Sequence, residues 1–246
     1  MLAILSPAKN MKPASPAGVA VTRPLFGDRA DYLAEQLKAC EPWQLESLMK
    51  ISPALALRAC LDYQGFEAGG AGTPSLATYQ GLAFRYVGAE ELEPADYAFG
   101  GDHLRILSAL YGLLRPADGI QPYRLEMQCR IKIEGRDLYA FWGDRLYREL
   151  FRAGEPVVNL ASAEYARTVT PYLRPADRLI TCRFLTMRRG RLIMPATGAK
   201  MARGRMARWI LQRRLDTPEE LKAFDWEGYT YCGERSDDMT YTYIQK

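Results

Sequence analysis

The sequence predicts a mixed α/β fold in a single domain, with a central β-sheet flanked by helices. Short apolar runs of the length of buried strands alternate along the chain with segments of helical periodicity. Of the 246 residues, 48% are hydrophobic and 25% are charged, as in ordinary globular proteins. One core can grow to about 250 residues. No linker divides the chain, so we expect one domain over residues 1–246.

The first half of the chain opens with the apolar strand LAIL and then becomes helical. Proline near a helix start is favourable because its missing N–H has no partner there. The predicted helices cover residues 28–40, 44–50 and 54–62, and two more begin near Pro74 and Pro94. The segment of about 44–62 is therefore a helix, a tight turn and a second helix.

The second half alternates strands and helices more regularly. A continuous apolar run over 106–114 predicts one buried strand. The remaining predicted elements are a helix over 137–151, a buried strand over 157–161, a β-hairpin turning at Gly190, a helix over 198–215, a short helix from Thr217 and a closing pair of strands.

Positive charge is concentrated in the hairpin and helix of residues 178–215, which we call the basic segment. It contains eleven Lys or Arg and no acidic residue. Because the whole chain carries +4, the rest of it carries −7. This polarisation suits a polyanionic partner such as nucleic acid, and the alternative is a solvated basic face.

The helix of the basic segment has a face that combines cations with small residues. Lys200, Arg203, Gly204 and Ala207 share this face on a helical wheel. Small residues beside long cations let a ligand approach the helix, so the pattern favours a binding face. The alternative is a contact with another helix.

Several classes of protein are excluded by composition. The five cysteines are scattered and never form a CxxC spacing, so we expect no disulfide framework and no metal site. His103 is the only histidine, and its setting indicates a structural role. No apolar stretch approaches the roughly 18 residues of a membrane span. We therefore predict a cytoplasmic protein with no membrane partner and no cofactor.

Three polar groups follow predicted strands, where binding sites tend to be built. Lys9 ends the SPAK sequence after the opening strand. The run 111–127 holds Arg115, Tyr123, Arg124 and Glu126 on turns stiffened by proline. Arg124 and Glu126 point to the same side of an extended segment, where they either pair only with each other or serve a shared ligand.

The third group follows the strand over 157–161. It consists of Asn159, Ser162 and Tyr165, and Ser162 is equally plausible as a helix N-cap.

These motifs resemble, in order and along essentially the whole chain, the YaaA family of bacterial peroxide-stress proteins. The motifs are SPAK, LSALYGLLRPADGIQPYRLEM, LYAFWG, VVNLASAEY, AKMARGRMARWI and a late F-x3-GY. The resemblance implies a mixed α/β fold, a positively charged cleft and binding of duplex or branched DNA. It also implies a part in oxidative stress and in limiting free iron.

The resemblance further implies a helix-hairpin-helix element over 44–62, with Lys50 at its turn. The leading hypothesis is a protein that binds DNA without sequence specificity. Its expected anion contacts are Lys9, Lys50, Arg115, Arg124, Lys200, Arg203, Arg205 and Arg208.

The competing hypothesis is an enzyme acting on a small anionic or nucleotide-like metabolite. Lys9, Arg115, Arg124, Lys200 and Arg203 would bind the anion. Glu126 or Tyr123 would move a proton. A closed pocket around Lys9, Arg124, Glu126 and Lys200 would favour the enzyme, whereas an open groove continuous with Arg203 and Arg208 would favour DNA.

Overall fold

The computed structural model describes residues 1–245, and the centre of the fold is one mixed β-sheet. The strands are β1 (Leu2–Leu5), β2 (Asn10–Met11), β3 (Thr73–Pro74), β4 (Tyr79–Gln80), β5 (Leu104–Ser108), β6 (Gly112–Leu114), β7 (Gly119–Ile120), β8 (Val157–Leu160), β9 (Leu179–Arg188), β10 (Arg191–Ile193), β11 (Asp225–Trp226), β12 (Tyr229–Tyr231) and β13 (Thr240–Gln245).

Ten α-helices in residues 1–245 surround this sheet. They are α1 (Gly27–Lys38), α2 (Pro42–Met49), α3 (Pro53–Gln64), α4 (Ser75–Thr78), α5 (Leu82–Val87), α6 (Pro94–His103), α7 (Leu138–Trp142), α8 (Arg145–Leu150), α9 (Ala163–Ala166) and α10 (Ala196–Arg213). Short 3₁₀ helices cover Ala89–Glu91, Thr170–Tyr172, Pro218–Ala223 and Gly233–Arg235.

The strands of the main sheet run in the order β11-β12-β13-β9-β8-β1-β5-β6, and β10 also pairs with β9. The five central strands β13, β9, β8, β1 and β5 are parallel, and antiparallel strands lie at the edges. Strands buried on both faces read as continuous apolar runs, and all four residues of β1 are buried. The predicted mixed α/β class with a central sheet is confirmed.

The hairpin of the basic segment turns where the sequence predicts. β9 and β10 are antiparallel, with Arg188 opposite Arg191. Arg189 and Gly190 between them both have positive φ, of 50° and 75°. Two positive φ values in a two-residue loop are the geometry of a type I′ turn, for which glycine is favoured. The predicted closing pair is also present, as β12 and β13.

Two elements that the sequence predicts as continuous are each divided in two, so these predictions are wrong. The apolar run 106–114 is a hairpin of β5 and β6, because the hydroxyl of Ser108 accepts hydrogen bonds from the N–H groups of Leu110 and Tyr111 and thereby supports a turn. The predicted helix 137–151 is two short helices, α7 and α8, because the chain leaves helical geometry at Gly143.

The helix-turn-helix of residues 44–62 exists as α2 and α3, but a helix-hairpin-helix element is not confirmed. The backbone N–H groups of Lys50 and Ile51 both donate to the carbonyl oxygen of Glu46, and Pro53 has no N–H. The turn therefore offers few backbone donors to a phosphate. The side chain of Lys50 remains exposed there.

Candidate functional site

A cleft lies where β1 and β8 end, at the centre of the sheet. From β1 the chain goes first to β5 on one side and then returns to β8 on the other side. Ligands of open α/β sheets bind at such a reversal, outside the carboxyl ends of the strands. The cleft has a volume of about 360 Å³, and its apolar part includes Pro7, Leu82, Phe84 and Leu125. This volume suits a small molecule.

Four cationic side chains line the cleft, although they are far apart in sequence. They are Lys9, Arg124, Lys200 and Arg203. Lys9 follows β1, Arg124 lies on the loop after β7, and the other two lie one turn apart on α10. The structure therefore brings together the predicted residues of three separate motifs.

Two of these cations have donors that the protein leaves unused. The Nε atoms of Arg124 and Arg203 are buried and have no hydrogen-bond partner within residues 1–245. Burial also lowers the pKa of Arg203. A buried donor without a partner loses its bond to water and gains nothing in return. Both side chains line the cleft, where a ligand with anionic oxygens would meet their guanidinium groups.

Two carboxylates stand among the four cations. Glu126 is bridged, with one oxygen 2.6 Å from Lys9 Nζ and the other 3.1 Å from Arg124 Nη2. Glu164 lies in the first turn of α9, and burial raises its pKa. The predicted Arg124–Glu126 pair exists, but it is open to the cleft and shared with Lys9. With four cations and two carboxylates, the cleft has an excess of positive charge.

Glu164 is the residue that sequence reasoning missed. The residues predicted from the same stretch are Asn159, Ser162 and Tyr165. The sequence did contain a signal for it: Glu164 is a carboxylate shortly after a buried strand, and it lies between Ser162 and Tyr165.

Tyr123 is held in place by two other hydroxyls. Its oxygen lies 2.7 Å from that of Tyr79 and 2.8 Å from Oγ of Ser108. Burial raises the pKa of Tyr123 to about 12, so its proton stays bound at neutral pH. These contacts fit a residue that shapes the cleft wall more than one that exchanges protons.

In the third polar group, Asn159 and Ser162 make hydrogen bonds within the fold, and Tyr165 lines the cleft. Asn159 accepts from the N–H of Ala161 and donates to Thr181, so its amide is used inside the fold. The N–H of Ser162 donates to Oγ of Ser6 over 2.8 Å, which ties the loops after β8 and β1 together. Tyr165 lines the cleft.

Four predicted anion contacts lie outside the cleft. Arg115 pairs at 2.9 Å with the buried carboxylate of Asp118 and lines another cavity. Arg208 pairs at 2.7 Å with Glu91. Lys50, in the turn between α2 and α3, and Arg205, on α10, are exposed and do not line the cleft.

The basic segment is partly neutralised by acids from elsewhere in the chain. Besides Arg208, Arg178 lies 3.5 Å from Glu219 and Arg214 lies 2.7 Å from Asp96. Eight cations of residues 178–215 have no carboxylate within 4 Å among residues 1–245: Arg183, Arg188, Arg189, Arg191, Lys200, Arg203, Arg205 and Arg213.

The small residues of α10 do not form a ligand-binding face, which corrects the sequence analysis. Gly204 and Ala207 are buried, and α10 packs there on α5. A Cβ on Gly204 would overlap the carbonyl oxygen of Ala83. Glycine is needed for this close helix contact. Lys200 and Arg203, on the adjoining strip of the helix, do reach the cleft.

His103 has the structural setting that the sequence indicates. Its ring stacks on Phe99 with centroids 3.8 Å apart, and Nδ1 lies 3.0 Å from the carbonyl oxygen of Met1. Among residues 1–245, no three His, Cys, Asp or Glu side chains are grouped so that they could hold a metal ion. Over the same residues, no helix combines the length and apolar character needed to cross a bilayer.

Comparison with known proteins accounts for the whole chain. A UPF0246 protein of Limosilactobacillus fermentum is 40% identical over 246 residues, covering all of both chains. UPF0246 proteins of Burkholderia mallei and Agathobacter rectalis are 41% and 34% identical, covering all of this chain and 99% of theirs. The family described as peroxide stress protein YaaA matches residues 1–235. Because the family match spans residues 1–235 and these relatives are 34–41% identical over the full chain, this chain belongs to the YaaA family of peroxide stress proteins.

Proposed function

We propose that this peroxide stress protein acts on a small anionic, nucleotide-sized ligand in the cleft at the ends of β1 and β8. The observation that carries the proposal is the pair of buried guanidinium donors, on Arg124 and Arg203, that have no partner within residues 1–245. The volume of about 360 Å³ accepts one nucleotide but excludes a duplex.

The cleft has a polar side and an apolar side. Arg203 and Lys200 on α10 would bind the anionic group, because neither has a carboxylate within 4 Å among the described residues. Phe84 and Leu82 would cover the less polar part of the ligand. Such a division suits a nucleotide, which joins a charged phosphate to an aromatic base.

Glu126 and Glu164 supply the chemistry of proton transfer. Glu126 is oriented by its contacts with Lys9 and Arg124, and we assign it the role of base. Burial raises the pKa of Glu164 towards the range in which a carboxyl can act as an acid. Two carboxyls with different environments are the arrangement from which acid and base roles are assigned.

The test is Glu126→Gln, measured for AMP binding, for thermal unfolding and for survival of cells exposed to hydrogen peroxide. Lys9 is 64% exposed and stays solvated without its partner, and the glutamine oxygen can still accept a hydrogen bond from Arg124, so we expect a loss of stability of about 1 kcal/mol or less. We expect loss of protection in cells, because general acid–base catalysis contributes about 10²–10⁴-fold. A variant that unfolds many degrees earlier, with unaltered function per folded molecule, would show that the pair is only structural.

A second candidate function is DNA binding, which the exposed arginines of the β9–β10 hairpin favour. Arg188, Arg189 and Arg191 have no carboxylate within 4 Å among residues 1–245, and all three are exposed. Exposed, unpaired arginines at a hairpin tip can contact phosphates along a groove. The partner would be duplex or branched DNA, bound through its backbone.

Lys50→Glu tests the contribution of the α2–α3 turn to this candidate. Lys50 is exposed, so the change should cost less than about 0.5 kcal/mol of stability. If the turn meets a phosphate, affinity for a duplex falls. An unchanged affinity would remove this turn from the DNA-binding surface.

A further inference from the structure

A second cavity lies beyond the edge strand β6 and shares no lining residue with the cleft. It is bounded by the start of α1, the end of α6, the loop after β6 and helices α7 and α8. Its volume is about 1140 Å³, roughly three times that of the cleft. We call it the arginine cavity, because seven arginines and five carboxylates line it.

Three of these arginines are neutralised within the cavity wall. Arg23 pairs with Asp28, Arg115 with Asp118 and Arg152 with Glu149. These pairs hold the wall together and leave no charge for a ligand.

The other four arginines have no carboxylate within 4 Å among residues 1–245. They are Arg29, Arg105, Arg136 and Arg145. Only two lining carboxylates, Asp102 and Glu134, are likewise without a cationic partner, and Glu134 accepts a hydrogen bond from Tyr32. The cavity therefore has more free guanidinium groups than free carboxylates.

In the part of the chain that the structure describes, Arg105 is bound by backbone carbonyl groups rather than by a carboxylate. It is half-buried on β5, and within residues 1–245 its Nη1 donates only to the carbonyl oxygens of Gly101 and Leu104. Burial and then the charge of Arg115 lower its pKa, while the carboxylates of Asp118, Glu149 and Asp102 oppose this shift. An anion beside Arg105 would stabilise its charged form, because an opposite charge nearby favours ionisation.

We infer that the arginine cavity is a second anion site that binds phosphate groups. A guanidinium donates two parallel hydrogen bonds to phosphate, and one phosphate has enough oxygens for more than one arginine. Free arginines on β5, on the turn before α7 and on helices α1 and α8 suit a ligand with several phosphates in a row. This inference goes beyond the proposed function of the cleft and stands without it.

Tripolyphosphate, followed by isothermal titration calorimetry at low salt, is the probe that tests the site. Because it has access to the cleft as well, each variant is measured with and without Lys200→Gln. We expect binding to persist in Lys200→Gln and to weaken about tenfold when Arg105→Gln is added. Arg58→Gln, an exposed change on α3 outside both cavities, is the matched control and should leave binding unchanged.

Arg136→Gln keeps the test decisive if Arg105→Gln does not fold, because Arg136 is exposed and without an ion pair among residues 1–245. We expect it to weaken binding as well. The inference is overturned if Lys200→Gln abolishes all binding, or if neither Arg105→Gln nor Arg136→Gln weakens it. Competition by a dT12 oligonucleotide would identify a nucleic-acid backbone as the source of the phosphates, and absence of competition would identify a free polyphosphorylated compound.

Discussion

The cleft and the basic segment use positive charge in opposite ways. The basic segment holds eleven cations within 38 residues, yet the fold pairs Arg178, Arg208 and Arg214 with acids from other parts of the chain. The cleft draws only Lys200 and Arg203 from that segment and joins them to Lys9 and Arg124.

The difference shows that charge density along a chain is a poor guide to a binding site. Exposed cations gain little from an ion pair and lose little without one. A buried donor without a partner is costly, and the buried Nε of Arg203 has none within residues 1–245, which is why we propose a ligand in the cleft. Arg203 and Arg205, two residues apart on α10, represent the two situations.

The sharpest comparison is Arg203→Met against Arg205→Met. Methionine keeps the long apolar stem and removes the charge in both. We expect Arg203→Met to weaken AMP binding about 10–100-fold, because a charge-assisted hydrogen bond contributes about 1.5–3 kcal/mol. Its thermal stability should be unchanged or higher, since a buried donor without a partner is lost.

Arg205→Met is the control, because Arg205 is exposed and does not line the cleft. It should leave AMP binding and stability unchanged. Equal losses of affinity in the two variants would contradict the distinction between the cleft and the rest of the segment.

Gly204→Ala examines the packed face of α10. Alanine favours helix over glycine by about 1 kcal/mol. Its Cβ overlaps the backbone of Ala83, and overpacking costs about 1–3 kcal/mol, so we expect a net loss of stability. Thermal unfolding measures the change. Gly101→Ala on α6, where a Cβ meets nothing within 4 Å, should stabilise instead.

Glu164→Gln tests the electrostatics of the cleft through pH. Burial raises the pKa of Glu164 in the folded state, so the unfolded chain loses this proton first as pH rises. The wild type therefore loses stability between the unfolded and folded pKa values, and the variant does not.

At neutral pH the free energy of unfolding of Glu164→Gln should exceed that of the wild type. This difference should shrink as the pH is lowered from the folded to the unfolded pKa of Glu164. Glu234→Gln, at an exposed carboxylate, should show no such trend. A constant difference at all pH values would mean that Glu164 is not held in a desolvated site.

The smallest expected effect concerns salt. If the free cations of the basic segment bind duplex DNA, Arg205→Ala should reduce the slope of log affinity against log salt by about 0.9. Arg208→Ala should change the slope less, because Glu91 already neutralises Arg208. Equal changes would mean that DNA displaces Glu91, and no change in either would remove this helix from DNA binding.

The sequence by itself determined the class of fold and much of its local structure. Apolar runs marked β1 and β8, helical periodicity marked α1, α3 and α10, and the Arg189-Gly190 turn marked the β9–β10 hairpin. These features depend on residues close in sequence, so a local pattern is sufficient to predict them. Where a local interaction contradicted the pattern, as at Ser108, the prediction of one long strand was wrong.

Part of the site was also readable from the sequence. Five of the predicted residues line the cleft: Lys9, Arg124, Glu126, Lys200 and Arg203. The sequence predicts them because they are polar and either follow strands or stand among small residues. The sequence could not say that Arg115 would turn to another cavity with Asp118.

Only the tertiary structure decided which charges meet. Lys9 and Glu164 are neighbours because β1 and β8 are adjacent parallel strands that end at the same edge. Gly204 is a packing residue because α5 happens to cross α10 there. The Arg208–Glu91 ion pair likewise joins residues that are far apart in the chain. The same is true of the seven arginines that line the arginine cavity. Such contacts depend on strand order and helix docking, which are set by burial over the whole core.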